Sequence, residues 1–140
     1  MMNRWKKAAA MAKFSTLALT MGIVAAGAAQ AADEPIKIGV QAPITGEYAA
    51  EGQGIQNGVK LLVDQQNAAG GLLGRKITVT VCDDEGKATT AAICARKLVN
   101  DGVIAVIGTY TSGAALAAAP IYSAANVIQT SDGTSDELTA

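Results

Sequence analysis

The 140-residue chain contains no histidine, which removes His-based catalytic triads and His-ligated metal sites from this segment. Cysteine is almost as scarce. Cys82 and Cys94 are the two present, and their spacing is not C-x-x-C, so a thioredoxin-like redox motif is excluded. No Walker A sequence and no G-x-S-x-G nucleophile elbow occur. Beyond the first 31 residues there is no apolar run long enough to span a bilayer, no basic cluster, no internal repeat and no low-complexity linker. What these absences leave is an α/β chain without visible catalytic apparatus.

Residues 1–31 have the three regions of a secretory signal peptide. Arg4, Lys6, Lys7 and Lys13 are basic, Leu17 to Ala29 is apolar, and Ala29-Gln30-Ala31 is a small-residue cleavage pattern, so cleavage is expected after Ala31. No cysteine stands at that cut, which gives no sign of lipid anchoring. Four of the eleven basic residues and none of the twelve acids fall in this leader, so residues 32–140 carry seven bases against twelve acids, a net charge of −5. An acidic, exported segment is a poor partner for nucleic acid or anionic lipid. About 109 residues remain, enough for one small domain with a modest core. In an oxidising compartment Cys82 and Cys94 form either a disulfide between a strand end and the next helix or two buried thiols.

Hydropathy along residues 32–140 alternates between strand and helix signals. Strands are expected at Ile36–Val40, Ile77–Cys82, Val103–Ile107 and Val127–Gln129. Helices are expected at about Tyr48–Ala69, Ala88–Asn100 and from Ala114 onward, with Pro120 bending or restarting the last. In the first helix Ile55, Val59, Leu62, Val63 and Gln66 fall on one side, and Gly70-Gly71 ends it. The alternating second strand suits a position nearer the sheet's edge, and the uninterrupted third suits a strand covered on both faces. Right-handed crossovers turn this β-α-β-α-β-α-β order into a three-layer, Rossmann-like parallel sheet. The chain stops where Thr134 and Glu137 spell a capping box, so part of a larger fold is expected.

Gly52-Gln53-Gly54-Ile55-Gln56-Asn57-Gly58 imitates a dinucleotide fingerprint, but Asn57 occupies the place of the third glycine. Close helix–sheet contact explains these glycines better. Asp83, Asp84 and Glu85 lack companion ligands of another type and read as a solvated acidic turn at a helix start. Arg75 and Lys76 read as surface turn residues.

Two hydroxyl-rich loops remain, Thr109–Gly113 and Thr130–Ser135. They follow the third and fourth strands, so both lie at the carboxyl edge of the sheet, where α/β proteins place ligands. There, free helix N–H groups and small hydroxyls either bind the anionic end of a small solute or simply cap the helix.

In this order the motifs resemble those of the periplasmic leucine/isoleucine/valine-binding proteins, the solute receptors of ABC importers. The resemblance spans Ile36–Val40, Thr45-Gly46, Asn67–Lys76, Asp83-Asp84, Val106–Gly108, Thr111–Gly113, Pro120–Tyr122 and Glu137–Thr139. It implies two Rossmann-like lobes closing on the solute, with residues 32–140 forming part of the first lobe and the second absent. It implies that Ser112 binds the ligand carboxylate, that Thr134 helps hold the same head group, and that the backbone at Asp132 faces the ammonium. Tyr110, Thr111, Tyr48 and Glu51 would line the remainder of the site. The family disulfide would fall at Gly86 and Thr111, neither a cysteine, and Asp132 and Glu51 depart from the family's usual residues.

The expected function is thus a non-catalytic, periplasmic solute-binding component of an ABC importer. It would bind a branched-chain or related amino acid, need no metal or cofactor, and deliver its load to the permease subunits. The rivals are an extracytoplasmic ligand-sensing domain, a binding protein for an amide, urea or small carboxylate, and an exported α/β enzyme whose machinery lies elsewhere.

Overall fold

The computed structural model describes residues 34–139. The expected signal peptide and its cleavage site at Ala31 lie outside them. Four parallel strands, β1 (Ile36–Ala42), β2 (Ile77–Asp83), β3 (Ala105–Gly108) and β4 (Ile128–Gln129), pair in the order β2-β1-β3-β4. Helices α1 (Ala49–Ala68), α2 (Ala88–Asn100) and α3 (Ser112–Ala124) connect them, and a short 3-10 turn, Asp136–Leu138, follows β4. The alternating strand β2 is an edge strand, as its pattern implied.

Register sorts the side chains into two faces. Val40 pairs with Val81 and Ile107, so these residues form one row on the face that α1 covers, where Val40, Ala42, Val59 and Val63 make one core. Val106 belongs to the opposite face and packs with Ala95 and Leu98 of α2, Ala118 and Tyr122 of α3, and Val103 just before β3. One helix thus covers one face and two cover the other.

That imbalance corrects two expectations. The third strand begins at Ala105 rather than Val103, and its alternate residues Ala105 and Ile107 are only half-buried, because α1 lies mainly over β1 and β2. Ile128, which pairs with Ala105, is 68% exposed. The buried stripe of α1 is also narrower than expected: Gly52, Val59 and Val63 face the sheet while Leu62 is 66% exposed and Gln66 reaches the Gly71 carbonyl instead.

Of the α1 glycines, Gly52 alone makes the expected close contact. A Cβ there would stand 2.0 Å from the Pro43 carbonyl oxygen, whereas Gly54 and Gly58 have nothing within 4 Å. Asn67 near the end of α1 exchanges two 2.8 Å hydrogen bonds with the Ile77 backbone, fixing where β2 starts. The final helix runs through Pro120 without restarting. Cys82 and Cys94 are disulfide-bonded, joining the end of β2 to the middle of α2.

Candidate functional site

All four strands are parallel, so the loops after β1, β2, β3 and β4 emerge at one edge of the sheet. The loop after β3 is anchored by Thr109, a buried residue held at φ +68°, a conformation that β-branched residues rarely adopt. Three contacts hold it there. Its N–H donates to the Gln41 carbonyl at 2.6 Å, its hydroxyl accepts from the Gln129 side chain at 3.2 Å, and its carbonyl accepts from the Ser131 hydroxyl at 2.8 Å. Thr109 therefore ties the two hydroxyl-rich loops to each other and to β1.

Thr111 is the N-cap of α3. Its hydroxyl accepts from the Ala114 N–H at 3.3 Å and donates to the Gly86 carbonyl at 3.0 Å. The capping explanation thus accounts for this hydroxyl. Gly86 and Thr111, where the resemblance puts a disulfide, are linked by that hydrogen bond instead.

Ser112 is different. Its Oγ accepts from the backbone N–H groups of Thr134 at 3.1 Å and Ser135 at 3.3 Å, so the two loops meet at this atom. A serine hydroxyl has two acceptor sites and one hydrogen. With both acceptor sites engaged, the hydrogen is left to donate. The N–H groups of Ser112 and Gly113 open the helix and have no intrahelical carbonyl to reach. These donors and the positive end of the helix dipole suit an anionic group. Gly133 makes the approach possible: a Cβ there would stand 3.1 Å from the Ser112 Cα and 2.8 Å from Leu138 Cδ1.

The expected capping box at Thr134 and Glu137 does not form. Ser135 is the N-cap residue of the 3-10 turn, and no side chain caps it, since the Thr134 and Ser135 N–H groups are drawn to Ser112. Tyr48, the residue preceding α1, stacks obliquely on Tyr110 with ring centroids 5.4 Å apart. Glu51 in the first turn of α1 and Asp132 are exposed, and among the described residues neither makes a side-chain hydrogen bond or ion pair. The structure brings Ser112 to Thr134 and Tyr48 to Tyr110, but links Glu51 and Asp132 to neither pair.

The acidic turn is not uniformly solvated. Asp83 accepts from the Ile44, Thr45 and Glu85 N–H groups and from the Thr45 hydroxyl at 2.6 Å. Partial burial pushes its carboxyl up, but these hydrogen bonds outweigh it and leave the pKa below the usual value. Asp84 is fully buried, accepting from the Gln41 side chain at 3.2 Å and the Gly86 N–H at 2.9 Å. Burial raises its pKa; these two donors oppose the rise and the Asp83 charge adds to it. Gln41 in turn accepts from the Tyr122 hydroxyl at 2.5 Å, and Tyr122 is likewise raised by burial and by Asp84. Gln41 and Asp84 escape the sequence reading as parts of the site, and Thr109 and Gly133 enter it only as members of the two loops, without the roles they have here. A glutamine inside an apolar strand was the signal available, since a buried amide needs partners.

A hollow of about 230 Å³ behind the second loop is lined by Ala119, Gln129, Ser131, Gly133, Leu138 and Thr139, and includes neither Ser112 nor Thr134. Among the described residues no cluster of side chains could hold a metal ion, and no helix is long and apolar enough to cross a membrane.

The periplasmic binding protein family model matches residues 35–139. The Leu/Ile/Val-binding protein BraC3 of Rhizobium johnstonii is 37% identical over 123 residues, covering 86% of this chain and 34% of its own length. The branched-chain amino acid transporter substrate binding protein LivJ from Streptococcus pneumoniae, in complex with isoleucine, superposes with a TM-score of 0.73 at 40% identity, over 76% of this chain and 31% of its own. A solute binding protein of an ABC transporter from Rhodopseudomonas palustris, in complex with 3,4-dihydroxy benzoic acid, gives a TM-score of 0.69 at 30% identity, over 77% and 29%. The chain spans about a third of the length of these relatives. Its matched residues contain the whole sheet and both hydroxyl-rich loops, and the chain belongs to the periplasmic binding protein family.

Proposed function

We propose that this chain is the solute-gripping part of the first lobe of an ABC importer's periplasmic receptor, and that its ligand is an amino acid or a closely related zwitterion. The observation that carries the reading is Ser112: its acceptor sites are engaged by the opposite loop, while among the described residues its hydrogen and the first N–H groups of α3 have no acceptor. In the proposed complex these donors take the ligand carboxylate and the Thr134 hydroxyl supports it. Asp132 and its backbone lie toward the ammonium, and Thr111, Tyr110, Tyr48 and Glu51 border the side chain. No bond is made or broken; the site binds and releases. Residues 1–31 export the chain and are cut after Ala31, and the loaded receptor docks on the permease subunits.

Calorimetric titration of the full-length protein with leucine, isoleucine, valine, asparagine and small carboxylates tests this reading. Micromolar or tighter binding of an α-amino acid, lost when its ammonium or carboxylate is blocked, supports it. Turnover of a bound compound, or no binding across the panel, overturns it. A second reading, an aromatic carboxylate, is favoured by the Tyr48–Tyr110 pair, since a flat ring stacks on tyrosine. Including 3,4-dihydroxybenzoate in the panel separates the two.

A further inference from the structure

We propose that Asp84, which touches none of the candidate ligand contacts, positions Ser112 through two hydrogen-bonded arms that converge on the loop preceding α3. The inference rests on reading Ser112 as a ligand contact. One arm runs from Asp84 Oδ1 to the Gly86 N–H, and from the Gly86 carbonyl to the Thr111 hydroxyl. The other runs from Asp84 Oδ2 to the Gln41 side chain, whose backbone carbonyl holds the Thr109 N–H. Thr109 and Thr111 flank Tyr110, and Ser112 is the next residue. A single buried carboxylate thus holds both sides of the turn that presents Ser112.

The arms also reach the far end of α3. Gln41 accepts from the Tyr122 hydroxyl and donates to the Ala91 carbonyl of α2. The N-cap of α3 is tied through Gly86 to Asp84, and Tyr122 in its last turn is tied to Gln41, so the helix is held near both ends by the Asp84–Gln41 pair. Leaving a buried polar group unpartnered is costly. A carboxylate suits this place because both of its side-chain hydrogen-bond partners, the Gln41 amide and the Gly86 N–H, are donors. Burying it against its own tendency to take up a proton is a cost that packing alone would not require.

The conservative variant Asp84→Asn separates positioning from folding. An amide has one acceptor oxygen, so its NH2 group must face either the Gly86 N–H or the Gln41 amide, donor against donor. One arm is lost while the burial cost of a charge disappears. The measurements are amide hydrogen exchange by mass spectrometry, thermal unfolding, and calorimetric titration with L-leucine, all on the full-length protein. The expected result is about tenfold faster exchange across residues 109–113, with β1 and α2 unchanged, about tenfold weaker L-leucine binding, and an unfolding midpoint no lower than that of the parent. Unchanged exchange at the loop, or exchange accelerated everywhere in step with lost stability, overturns the proposal. If the parent protein binds neither L-leucine nor any other α-amino acid of the panel, the amino-acid reading fails, while loop exchange still decides the positioning role.

Should Asp84→Asn not fold, Thr111→Val cuts the first arm from its other end. Loss of the α3 cap would loosen only α3; a coupled arm also speeds exchange of the Gly86 N–H, and Thr111→Ser restores it. No change at Gly86 overturns the proposal.

Discussion

Ser112→Ala asks one atom to account for two effects of different size. Within the chain, Ser112 Oγ accepts the Thr134 N–H at 3.1 Å and the Ser135 N–H at 3.3 Å. Both bonds are neutral and long, and Thr134 is exposed, so water replaces them readily; their combined loss costs about 1 kcal/mol of stability. Against a ligand carboxylate the same hydroxyl would make a charge-assisted bond, whose removal costs about 1.5–3 kcal/mol. That corresponds to roughly a tenfold to hundredfold rise in Kd. The assay is calorimetric titration of full-length parent and variant with the tightest ligand of the panel, beside thermal unfolding of both. A midpoint lowered by a few degrees with a Kd raised at least tenfold is the expected result. A lowered midpoint with an affinity within twofold of the parent would refute the reasoning, leaving Ser112 as a staple between loops.

The disulfide closes a short loop, Cys82 to Cys94 at a sequence separation of 12, and the chain-entropy model assigns it about 3 kcal/mol. Denaturant titration of a Cys82→Ser, Cys94→Ser double variant should show that loss, and an unchanged midpoint would mean the unfolded chain is not constrained by it. Gly133→Val would push a branched side chain toward the Ser112 Cα, part the two loops and weaken solute binding at least tenfold, with little change at β1 or β2; unaltered affinity would show that the loops do not act together. Because the folded-state pKa of Asp83 is depressed, its contribution is complete above its ordinary value of 3.8 and is lost as the pH falls through the lower folded value. Asp83→Asn should therefore flatten the acid limb of stability measured by thermal unfolding from about pH 6 to about pH 3, and parallel curves for parent and variant would contradict the assignment.

The order of elements was readable because glycines and polar clusters interrupt the apolar runs. Gly70-Gly71 ends α1, Gly102 precedes β3, and the β2 pattern alternates as an edge strand does. Where reading failed, a distant partner had overridden a local signal. Leu62 has the right spacing for the core, but the apolar stripe that α1 turns toward β1 and β2 is too narrow to include it. The Thr134–Glu137 box is locally sound, yet its Thr134 N–H donates to a hydroxyl 22 residues earlier in the chain. Asp84 sits among acids that resemble a surface turn, yet it is buried and its side-chain partner is Gln41, 43 residues away. Of the site, hydroxyl content and edge position were legible. The left-handed bend at Thr109 and the Gly133 contact depend on tertiary approach, and no spacing encodes them.

The charges around the site constrain how it can hold an anion. The loops and helix starts at the carboxyl edge carry Glu47, Glu51, Asp83, Asp84, Glu85, Asp132, Asp136 and Glu137, and the lysine there, Lys87, is paired with Glu85. Arg75, Lys76 and Lys37 lie toward the opposite edge, before or at the starts of strands. In the proposed complex a carboxylate at Ser112 would find no free cation among the described residues of that edge. Its negative charge must be met by N–H and O–H dipoles already held in place by Thr109, Thr111 and the second loop, which cost little reorganisation. The surrounding acids then act against a simple anion and in favour of a ligand that brings its own positive group. In a zwitterion the two demands are met by one molecule, and for that reason the amino-acid reading stands ahead of the aromatic carboxylate.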